Sequence, residues 1–143
     1  MNYQEIKGDI FTTSDDRMIA HCISSDFALG AGIAKEINKR FDTKYNLFLK
    51  YPAQSGQTFT GKCLVTDRIL NLVTKDKCYQ KPTYETLTKA LVDMRKYLYE
   101  NNIKKIAMPK IGCGLDKLEW NRVKPIIYEL FEFTDMDIIV YYL

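Results

Sequence analysis

The amino-acid sequence predicts a single α/β domain in which strands alternate with helices. Short apolar runs of the kind that form buried strands are followed by segments whose apolar residues recur every three or four positions. Two glycine-containing loops, residues 29–34 and 109–116, each join such a run to a helical segment. The chain has 143 residues, 46% of them apolar, which suffices for one core without disulfide or metal cross-links. We therefore expect one domain over residues 1–143.

The first part of the chain predicts two strands and two helices. Residues 3–6 form a short strand before a turn, and the apolar run 18–23 forms a strand that leads into the first glycine loop. A helix is expected from residue 31 or 32 to about residue 41, because apolar side chains lie four apart on one of its faces. A second, shorter helix is expected over residues 44–51.

A β-hairpin and a long helix are predicted next. Two apolar runs within residues 63–74 are separated by Asp67 and Arg68, although this pair is not a favoured two-residue turn. The clearest helix follows Pro82 and Thr83, where Thr83 suits the position that caps a helix. Its apolar stripe has alternating spacings of three and four and consists of Tyr84, Leu87, Leu91, Met94 and Leu98.

The last part of the chain contains two strands and a helix. Residues 105–109 predict a strand that leads into the second glycine loop, and residues 138–142 a final buried strand. Between them a helix is expected over residues 121–133. In open sheets of this class, ligand sites lie beyond the carboxyl ends of the strands, where such loops are found. We therefore expect both glycine loops to border one crevice.

Composition and charge exclude several classes of protein. The net charge of +3, from 21 basic and 18 acidic residues, is too small to indicate nucleic acid by itself but is compatible with an anionic ligand. No basic and apolar leader and no apolar run of about 18 residues is present, so we expect a cytoplasmic protein without a membrane partner. The cysteines lack C-x-x-C spacing and are expected to be reduced; they are Cys22, Cys63, Cys78 and Cys113.

The first glycine loop has three possible interpretations. Gly30-Ala31-Gly32 supplies the first two glycines of a dinucleotide-binding fingerprint, but Lys35 occupies the third position and no acidic strand end follows about 20 residues later. The glycines can instead serve only a tight turn between strand and helix. The third interpretation is a phosphate- or ribose-binding loop, because glycine exposes several backbone N–H donors at once. Two such loops at one edge favour a ligand that contains a diphosphate.

His21, the only histidine, lies inside an apolar strand. A lone histidine there is more often a hydrogen-bonded core residue, or a residue that lines a pocket, than a catalytic base. With one histidine no histidine-based metal cluster is available. A Ser-His-Asp arrangement with Ser24 or Ser25 would require side chains of one turn to converge on their neighbour, and we expect none.

Two charged residues follow predicted strands. Asp116 and Glu119 resemble a capping box, but a helix beginning there would contain Pro125 in its interior at a cost of about 3 kcal/mol. The helix is therefore expected to begin near Asn121, which leaves the Asp116 carboxylate beside the glycine N–H groups. Lys75, at the end of a strand, is either an ordinary surface lysine or directed into the crevice.

Seven short segments, in order over nearly the whole chain, carry a resemblance to a known family. The segments are Lys7-Gly8-Asp9-Ile10, Ala20-His21-Cys22-Ile23-Ser24, Leu29-Gly30-Ala31-Gly32-Ile33-Ala34, Thr74-Lys75, Lys81-Pro82-Thr83-Tyr84-Glu85, Met108-Pro109-Lys110-Ile111-Gly112-Cys113-Gly114-Leu115-Asp116 and Val140-Tyr141-Tyr142-Leu143. In these the chain resembles the macrodomain family. More narrowly, it is similar to the branch with the terminal ADP-ribose protein glycohydrolase and the DNA ADP-ribosyl glycohydrolase antitoxins. The resemblance implies a three-layer α/β/α macrodomain with a mixed sheet of about six strands.

The resemblance also implies ADP-ribose binding without a cofactor or metal. Asp9 and Ile10 match the turn that recognises adenine, and Leu143 the position that closes over the adenosine half. The first glycine loop matches the segment around the diphosphate and distal ribose, and the second a further phosphate loop. The ligand-contact residues so implied are Asp9, Ile10, His21, Ser24, Gly30, Ala31, Gly32, Ile33, Gly112, Cys113, Gly114, Leu115 and Leu143.

In the branch that the chain resembles, catalysis is assigned to a lysine and an aspartate, and the matching residues are Lys75 and Asp116. The larger hydrolytic branch has paired asparagines before three glycines; this chain lacks that signature, so the water-activation scheme of that branch does not transfer. We expect a hydrolase that removes ADP-ribose from carboxylate side chains of proteins or from small molecules with related O-linkages.

Two alternatives remain open at the level of the sequence. The chain can be a module that binds ADP-ribose without turnover, although the presence of both catalytic residues favours an enzyme. It can also act on ADP-ribosylated DNA, for which a basic group beside the first loop would supply positive charge. That group is equally the solvated face of a helix; it consists of Lys35, Lys39, Arg40 and Lys44.

Overall fold

In the computed structural model, which describes residues 1–53 and 55–143, six strands form one mixed sheet flanked by four helices. The strands are β1 (Asn2–Lys7), β2 (Met18–Ser24), β3 (Cys63–Thr66), β4 (Ile69–Lys75), β5 (Lys105–Pro109) and β6 (Asp137–Tyr142). The helices are α1 (Gly32–Phe41), α2 (Thr43–Lys50), α3 (Tyr84–Glu100) and α4 (Trp120–Phe131). The strand order is β1-β6-β5-β2-β4-β3. All neighbouring pairs are parallel except β3 and β4. The predicted α/β class with a mixed six-stranded sheet is confirmed.

The sheet is covered on both faces, which explains why its central strands are continuous apolar runs rather than alternating ones. In β4 the side chains of Leu72 and Val73 are both fully buried, although they point to opposite faces. Leu72 packs in a cluster with Leu91 of α3, and Val73 in a cluster with Leu47 of α2. Helices α3 and α4 therefore form one outer layer, and α1 and α2 form the other.

The start of α3 is hydrogen-bonded to the end of β4, at the carboxyl edge of the sheet. Thr83 caps the helix: its hydroxyl accepts from the Thr86 N–H, and the Thr86 hydroxyl accepts from the Thr83 N–H, both at 3.1 Å. The Thr86 hydroxyl also donates to the carbonyl of Thr74 at 2.6 Å. The helix begins next to the predicted residues Pro82 and Thr83.

The hairpin forms as predicted despite its unfavourable turn residues. Asp67 adopts φ +52°, in the left-handed region that aspartate tolerates better than most residues. Arg68 is held from outside the hairpin: its Nε donates to the Arg17 carbonyl at 3.0 Å and its Nη2 to the Ser14 carbonyl at 2.9 Å. Tertiary hydrogen bonds therefore compensate for a turn that local propensity alone does not favour.

Helix α4 differs from the prediction at both ends. It covers Trp120–Phe131 rather than residues 121–133, and Pro125 lies beyond its first turn. Proline removes one intrahelical hydrogen bond there, at about 3 kcal/mol. Val123 and Ile127, on either side of it, are fully buried, and each contributes roughly 1.5–3 kcal/mol by leaving water. Packing on the sheet therefore offsets the proline.

The four cysteines are free thiols, as expected for reduced residues. None of the helices in residues 1–53 and 55–143 is long and apolar enough to span a bilayer.

Candidate functional site

The two glycine loops lie side by side at the carboxyl edge of the sheet. The first joins β2 to α1 and the second joins β5 to α4, and β2 and β5 are neighbours. The loops are in contact, since a Cβ built on Gly32 would lie 3.3 Å from Cδ1 of Leu115. Gly32 also has φ +57°, so glycine is required there both for its backbone conformation and for this close approach. The two loops therefore form one continuous surface at this edge of the sheet.

The beginning of α1 is suited to an anionic group. Ala31 occupies the N-cap position and has no side-chain acceptor for the first N–H groups of the helix. The adjoining Gly30 and Gly32 are exposed. Free N–H groups and the positive end of the helix dipole together attract phosphate. This loop therefore has the local chemistry that the phosphate-binding interpretation requires.

The second glycine loop is a compact turn. Gly112 has φ +74°, and a Cβ there would lie 2.9 Å from Cδ1 of Leu118. The carbonyl of Gly112 accepts from the Leu118 N–H at 2.7 Å. Within this turn the side chain of Leu115 is 64% exposed, although it reaches the first loop. Leu115 and Asp116 therefore belong to a turn whose backbone is fixed by hydrogen bonds.

Lys75 and Asp116 form an ion pair at the centre of this edge. Nζ of Lys75 lies 2.8 Å from Oδ1 of Asp116, and the two side chains are 14% and 17% exposed. Lys75 is the last residue of β4, and Asp116 lies in the loop after β5. Because β2 runs between β4 and β5, the pair spans the end of β2. The capping-box interpretation of Asp116 does not hold, since α4 begins only at Trp120.

A partly buried thiol, that of Cys22, lies close to this pair. Burial raises the pKa of Cys22 to about 12, and the negative charge of Asp116 acts in the same direction. A thiol with such a pKa is protonated at neutral pH and is a poor nucleophile. The chemistry of the crevice therefore centres on the amine of Lys75 and the carboxylate of Asp116. Within the described residues, no group of three or more His, Cys, Asp or Glu side chains is arranged to hold a metal ion.

Asp26, which the sequence analysis did not single out, holds the loops after β2 and β4 together. Its carboxylate accepts from the Ser24 hydroxyl at 2.5 Å, the Ala28 N–H at 3.2 Å and the Cys78 N–H at 2.9 Å. Although burial opposes it, these hydrogen bonds hold the pKa of Asp26 below its ordinary value. Nothing in the local sequence distinguishes this aspartate from other loop aspartates, because its partners lie as far as 52 positions away.

The backbone of Lys75 is fixed by the same pair of loops. The Ser25 N–H donates to the Lys75 carbonyl at 2.8 Å. On the other side, Nζ of Lys81 donates to the Leu115 carbonyl at 2.9 Å, and the Glu119 N–H donates to the Tyr84 hydroxyl at 3.0 Å. Both members of the ion pair are therefore held by hydrogen bonds that connect separate loops.

The residues predicted to contact adenine lie at the far end of the same edge. Asp9 and Ile10 follow β1, and Leu143 follows β6, the neighbouring strand. The Asp9 carboxylate accepts from the Phe11 N–H at 2.9 Å, Ile10 is buried, and Leu143 is 97% exposed. Four strand-to-strand steps separate β1 from β4, which is about 19 Å. The predicted contacts are therefore spread along this edge of the sheet.

Two of the predicted ligand contacts are directed inward. His21 is completely buried, and its Nε2 lies 2.6 Å from Oδ1 of Asn71. Burial lowers the pKa of His21 to about 4, so the imidazole is neutral at pH 7. Ser24 is only 4% exposed and donates to Asp26. Both side chains are therefore buried and hydrogen-bonded inside the protein, beneath the carboxyl edge of the sheet.

Comparisons with known proteins were made for both sequence and structure. The family model described as Macro domain matches residues 20–127. The human protein named ADP-ribose glycohydrolase OARD1 (Homo sapiens) is 40% identical over 140 residues, which cover 95% of this chain and 88% of that protein. The protein named DNA ADP-ribosyl glycohydrolase from Mycobacterium tuberculosis is 24% identical over 143 residues, which cover 94% of this chain and 40% of that protein.

Solved structures show the same fold at lower identity. The macrodomain of Thermus aquaticus DarG superposes with a TM-score of 0.83 at 23% identity, covering 99% of this chain and 97% of that one. The macrodomain of Mycobacterium tuberculosis DarG gives a TM-score of 0.82 at 21% identity, with the same coverage of both chains.

Proposed function

This chain belongs to the macrodomain family, and from that premise we propose that it is an ADP-ribosyl hydrolase. It binds ADP-ribose and releases it from carboxylate side chains or from related O-linked derivatives. The observation that carries the proposal is the 2.8 Å pair of Lys75 and Asp116, which lies beside both glycine loops. The name of the relative at 40% identity, an ADP-ribose glycohydrolase, supports the same class of reaction.

The ligand lies along the carboxyl edge of the sheet. Its adenine binds near Asp9 and Ile10, with Leu143 over the adenosine half. Its diphosphate binds to the N–H groups of the glycine loops and the start of α1, where an anion is favoured. The distal ribose then reaches Lys75 and Asp116, since Lys75 lies beyond both glycine loops in the direction away from β1 and the Asp116 carboxylate is paired with it.

In the first step, the amine of Lys75 attacks the anomeric carbon C1 of the distal ribose. The amine must lose a proton to attack, and Oδ1 of Asp116 lies within hydrogen-bonding distance to accept that proton. A bond forms between Nζ and C1, while the bond from C1 to the acceptor oxygen breaks. Its electron pair leaves with the acceptor, which is released as a carboxylate.

In the second step, the sugar ring of the adduct opens to an imine between Nζ and C1. Asp116 assists the proton transfers by which water adds to C1 and the C–N bond breaks. The products are free ADP-ribose and the regenerated lysine. A nucleophile of this kind divides one difficult displacement into two easier ones.

ADP-ribosylated DNA is the second candidate substrate. Four cations beside the first loop are all exposed, as a nucleic-acid surface would require; they are Lys35, Lys39, Arg40 and Lys44. The relatives named DNA ADP-ribosyl glycohydrolase are also similar to this chain. They are less similar than the human protein, so we rank this substrate second.

The decisive experiment offers the purified protein a panel of glutamyl-, seryl-, acetyl- and thymidine-linked ADP-ribose and measures the free ADP-ribose released. We expect release from the glutamyl and acetyl compounds, and no release by Lys75→Ala although this variant still binds ADP-ribose. Binding without release from any member of the panel would instead identify a non-catalytic ADP-ribose-binding module.

A further inference from the structure

A cavity opens beside Lys75. It has a volume of about 340 Å³ and lies between the end of β4, the start of α3 and the segment that precedes β3. Besides Lys75, its walls include Thr74, Asp76, Gln80, Lys81 and Thr86. None of the described residues that line it belongs to either glycine loop. The cavity therefore adjoins the reacting pair but is separate from the surface assigned to the diphosphate.

One wall of this cavity contains a polar group without a partner. Thr74 is 1% exposed, and its hydroxyl has no hydrogen-bond partner within the part of the chain that the structure describes. Buried hydroxyls are normally hydrogen-bonded, because an unpaired one has lost water without compensation. The neighbouring Thr86 shows the ordinary case, since its hydroxyl donates to the Thr74 carbonyl at 2.6 Å. Thr74 therefore brings an unused hydrogen-bond donor to the wall of the cavity.

The charged groups of the cavity favour a ligand with oxygen acceptors. The ammonium of Lys81 has three donors, and the contact observed for it is one bond to the Leu115 carbonyl at 2.9 Å. The Asp76 carboxylate is already engaged, because it accepts from the Thr58 hydroxyl at 2.7 Å and the Thr60 hydroxyl at 2.5 Å. The donors that remain for a ligand thus come from Lys81, from Thr74 and from the amide nitrogen of Gln80, whose oxygen accepts from the Lys77 N–H at 2.9 Å.

We propose that this cavity is the acceptor subsite of the enzyme. It receives the peptide that carries the ADP-ribosylated carboxylate, and Lys81 and Thr74 donate to its carbonyl or carboxylate oxygens. The inference rests on the proposed function. In that function the glycine loops bind the nucleotide part of the substrate, on one side of C1. The acceptor is attached to the other side of C1, so it must extend from Lys75 toward a different surface. The cavity is such a surface, and Lys75 belongs to both.

A peptide fits the cavity better than a nucleic acid does. Sites for single-stranded nucleic acid present aromatic side chains on which bases stack. Among residues 1–53 and 55–143, none of those that line this cavity is aromatic. Ammonium, hydroxyl and amide groups match the carbonyl, carboxylate and N–H groups of a peptide. The volume is also at the lower end of ligand sites, which suits the residue that bears the modification.

The test compares two ligands by calorimetry. One is free ADP-ribose, and the other is a glutamyl peptide joined to ADP-ribose through a linkage that cannot be hydrolysed. We expect wild-type protein to bind the conjugate more tightly. Thr74→Val should weaken conjugate binding by about 2- to 10-fold, the effect of one hydrogen bond, and leave ADP-ribose binding unchanged. Thr43→Val is a matched control, because the Thr43 hydroxyl is also buried and unpartnered among the described residues but lies at the start of α2.

Lys81→Gln provides a second variant in case Thr74→Val does not fold. It should lower the ratio of conjugate affinity to ADP-ribose affinity. Equal losses for both ligands, or no loss for either, would overturn the subsite. So would a modified oligonucleotide that binds more tightly than the peptide conjugate and is weakened by Thr74→Val. These readouts measure binding and not turnover. A protein that binds the conjugate more tightly than ADP-ribose, and loses this preference on Thr74→Val, would support the subsite. If the same protein hydrolysed no substrate, the proposed hydrolysis would be refuted.

Discussion

Nζ of Lys75 lies 2.8 Å from Oδ1 of Asp116, although 41 positions separate the two residues in the chain. They belong to β4 and to the loop after β5, with β2 between these strands. Their contact therefore depends on the strand order of the sheet and on the loops that fix both backbones.

Replacing Asp116 should test its role in proton transfer. Asp116→Asn keeps the size of the side chain but removes the carboxylate that accepts a proton from Lys75. We expect kcat to fall by about 10²–10⁴-fold, the usual contribution of a general base. Borohydride added during turnover should leave a sugar adduct on Lys75 in the wild-type protein, detected by peptide mass spectrometry. A wild-type protein that turns over but never acquires this mass would contradict the imine.

Replacing Asp26 should weaken the connection between the loops after β2 and β4. Asp26→Asn retains one acceptor oxygen, but an amide cannot accept from Ser24, Ala28 and Cys78 together as the carboxylate does. We expect kcat to fall about tenfold, with little change in ADP-ribose affinity, because a charged hydrogen bond contributes roughly 1.5–3 kcal/mol. Asp67→Asn, at an exposed turn position that asparagine tolerates, is the matched control and should behave like the wild type.

The Asp26 interaction should also depend on pH. Its pKa is lowered in the folded protein, so its contribution to stability is present above the unfolded pKa of about 3.9 and is lost as the pH falls through the lower folded value. The difference in unfolding free energy between wild type and Asp26→Asn, measured in urea, should therefore be larger at pH 7 than at pH 3. A difference that is constant with pH would exclude a role for the ionised carboxylate.

Gly112 should be intolerant of any side chain. Its φ of +74° strains an L-residue, at about 1–2 kcal/mol, and a Cβ would also approach Leu118. We expect Gly112→Ala to lower the unfolding free energy by at least this amount in urea denaturation. Gly114→Ala, in the same loop, would place its Cβ in open space and should leave stability nearly unchanged. Equal stability of the two variants would contradict the role of the positive φ.

The single histidine provides a direct test of the core beneath the crevice. Burial lowers the pKa of His21 to about 4, from 6.5 in the unfolded chain. Between pH 6.5 and pH 4 the folded state therefore binds fewer protons than the unfolded state. The unfolding free energy should fall as the pH drops through this range, by on the order of 3 kcal/mol. In an NMR titration the imidazole resonances should have a midpoint near 4. A midpoint near 6.5 would show that His21 is solvated.

The sequence by itself determined the order of strands and helices, the two glycine loops and the hairpin between Cys63 and Thr74. These features follow from local causes: the spacing of apolar residues, the conformational freedom of glycine and the capping preference of Thr83. The end of α4 was predicted at residue 133, two residues too late. The spacing of apolar residues does not show where burial ends, and Phe133, although apolar, is 95% exposed.

Only the tertiary structure decided which of these elements meet. Periodicity does not specify strand order, so the contact of Lys75 with Asp116 required the neighbourhood of β4, β2 and β5. The inward orientation of His21 toward Asn71 and the three hydrogen bonds to Asp26 are likewise decided by partners distant in the chain. Local patterns select each element on its own, whereas a site at the edge of a sheet is assembled from residues that only the packing of the whole sheet brings together.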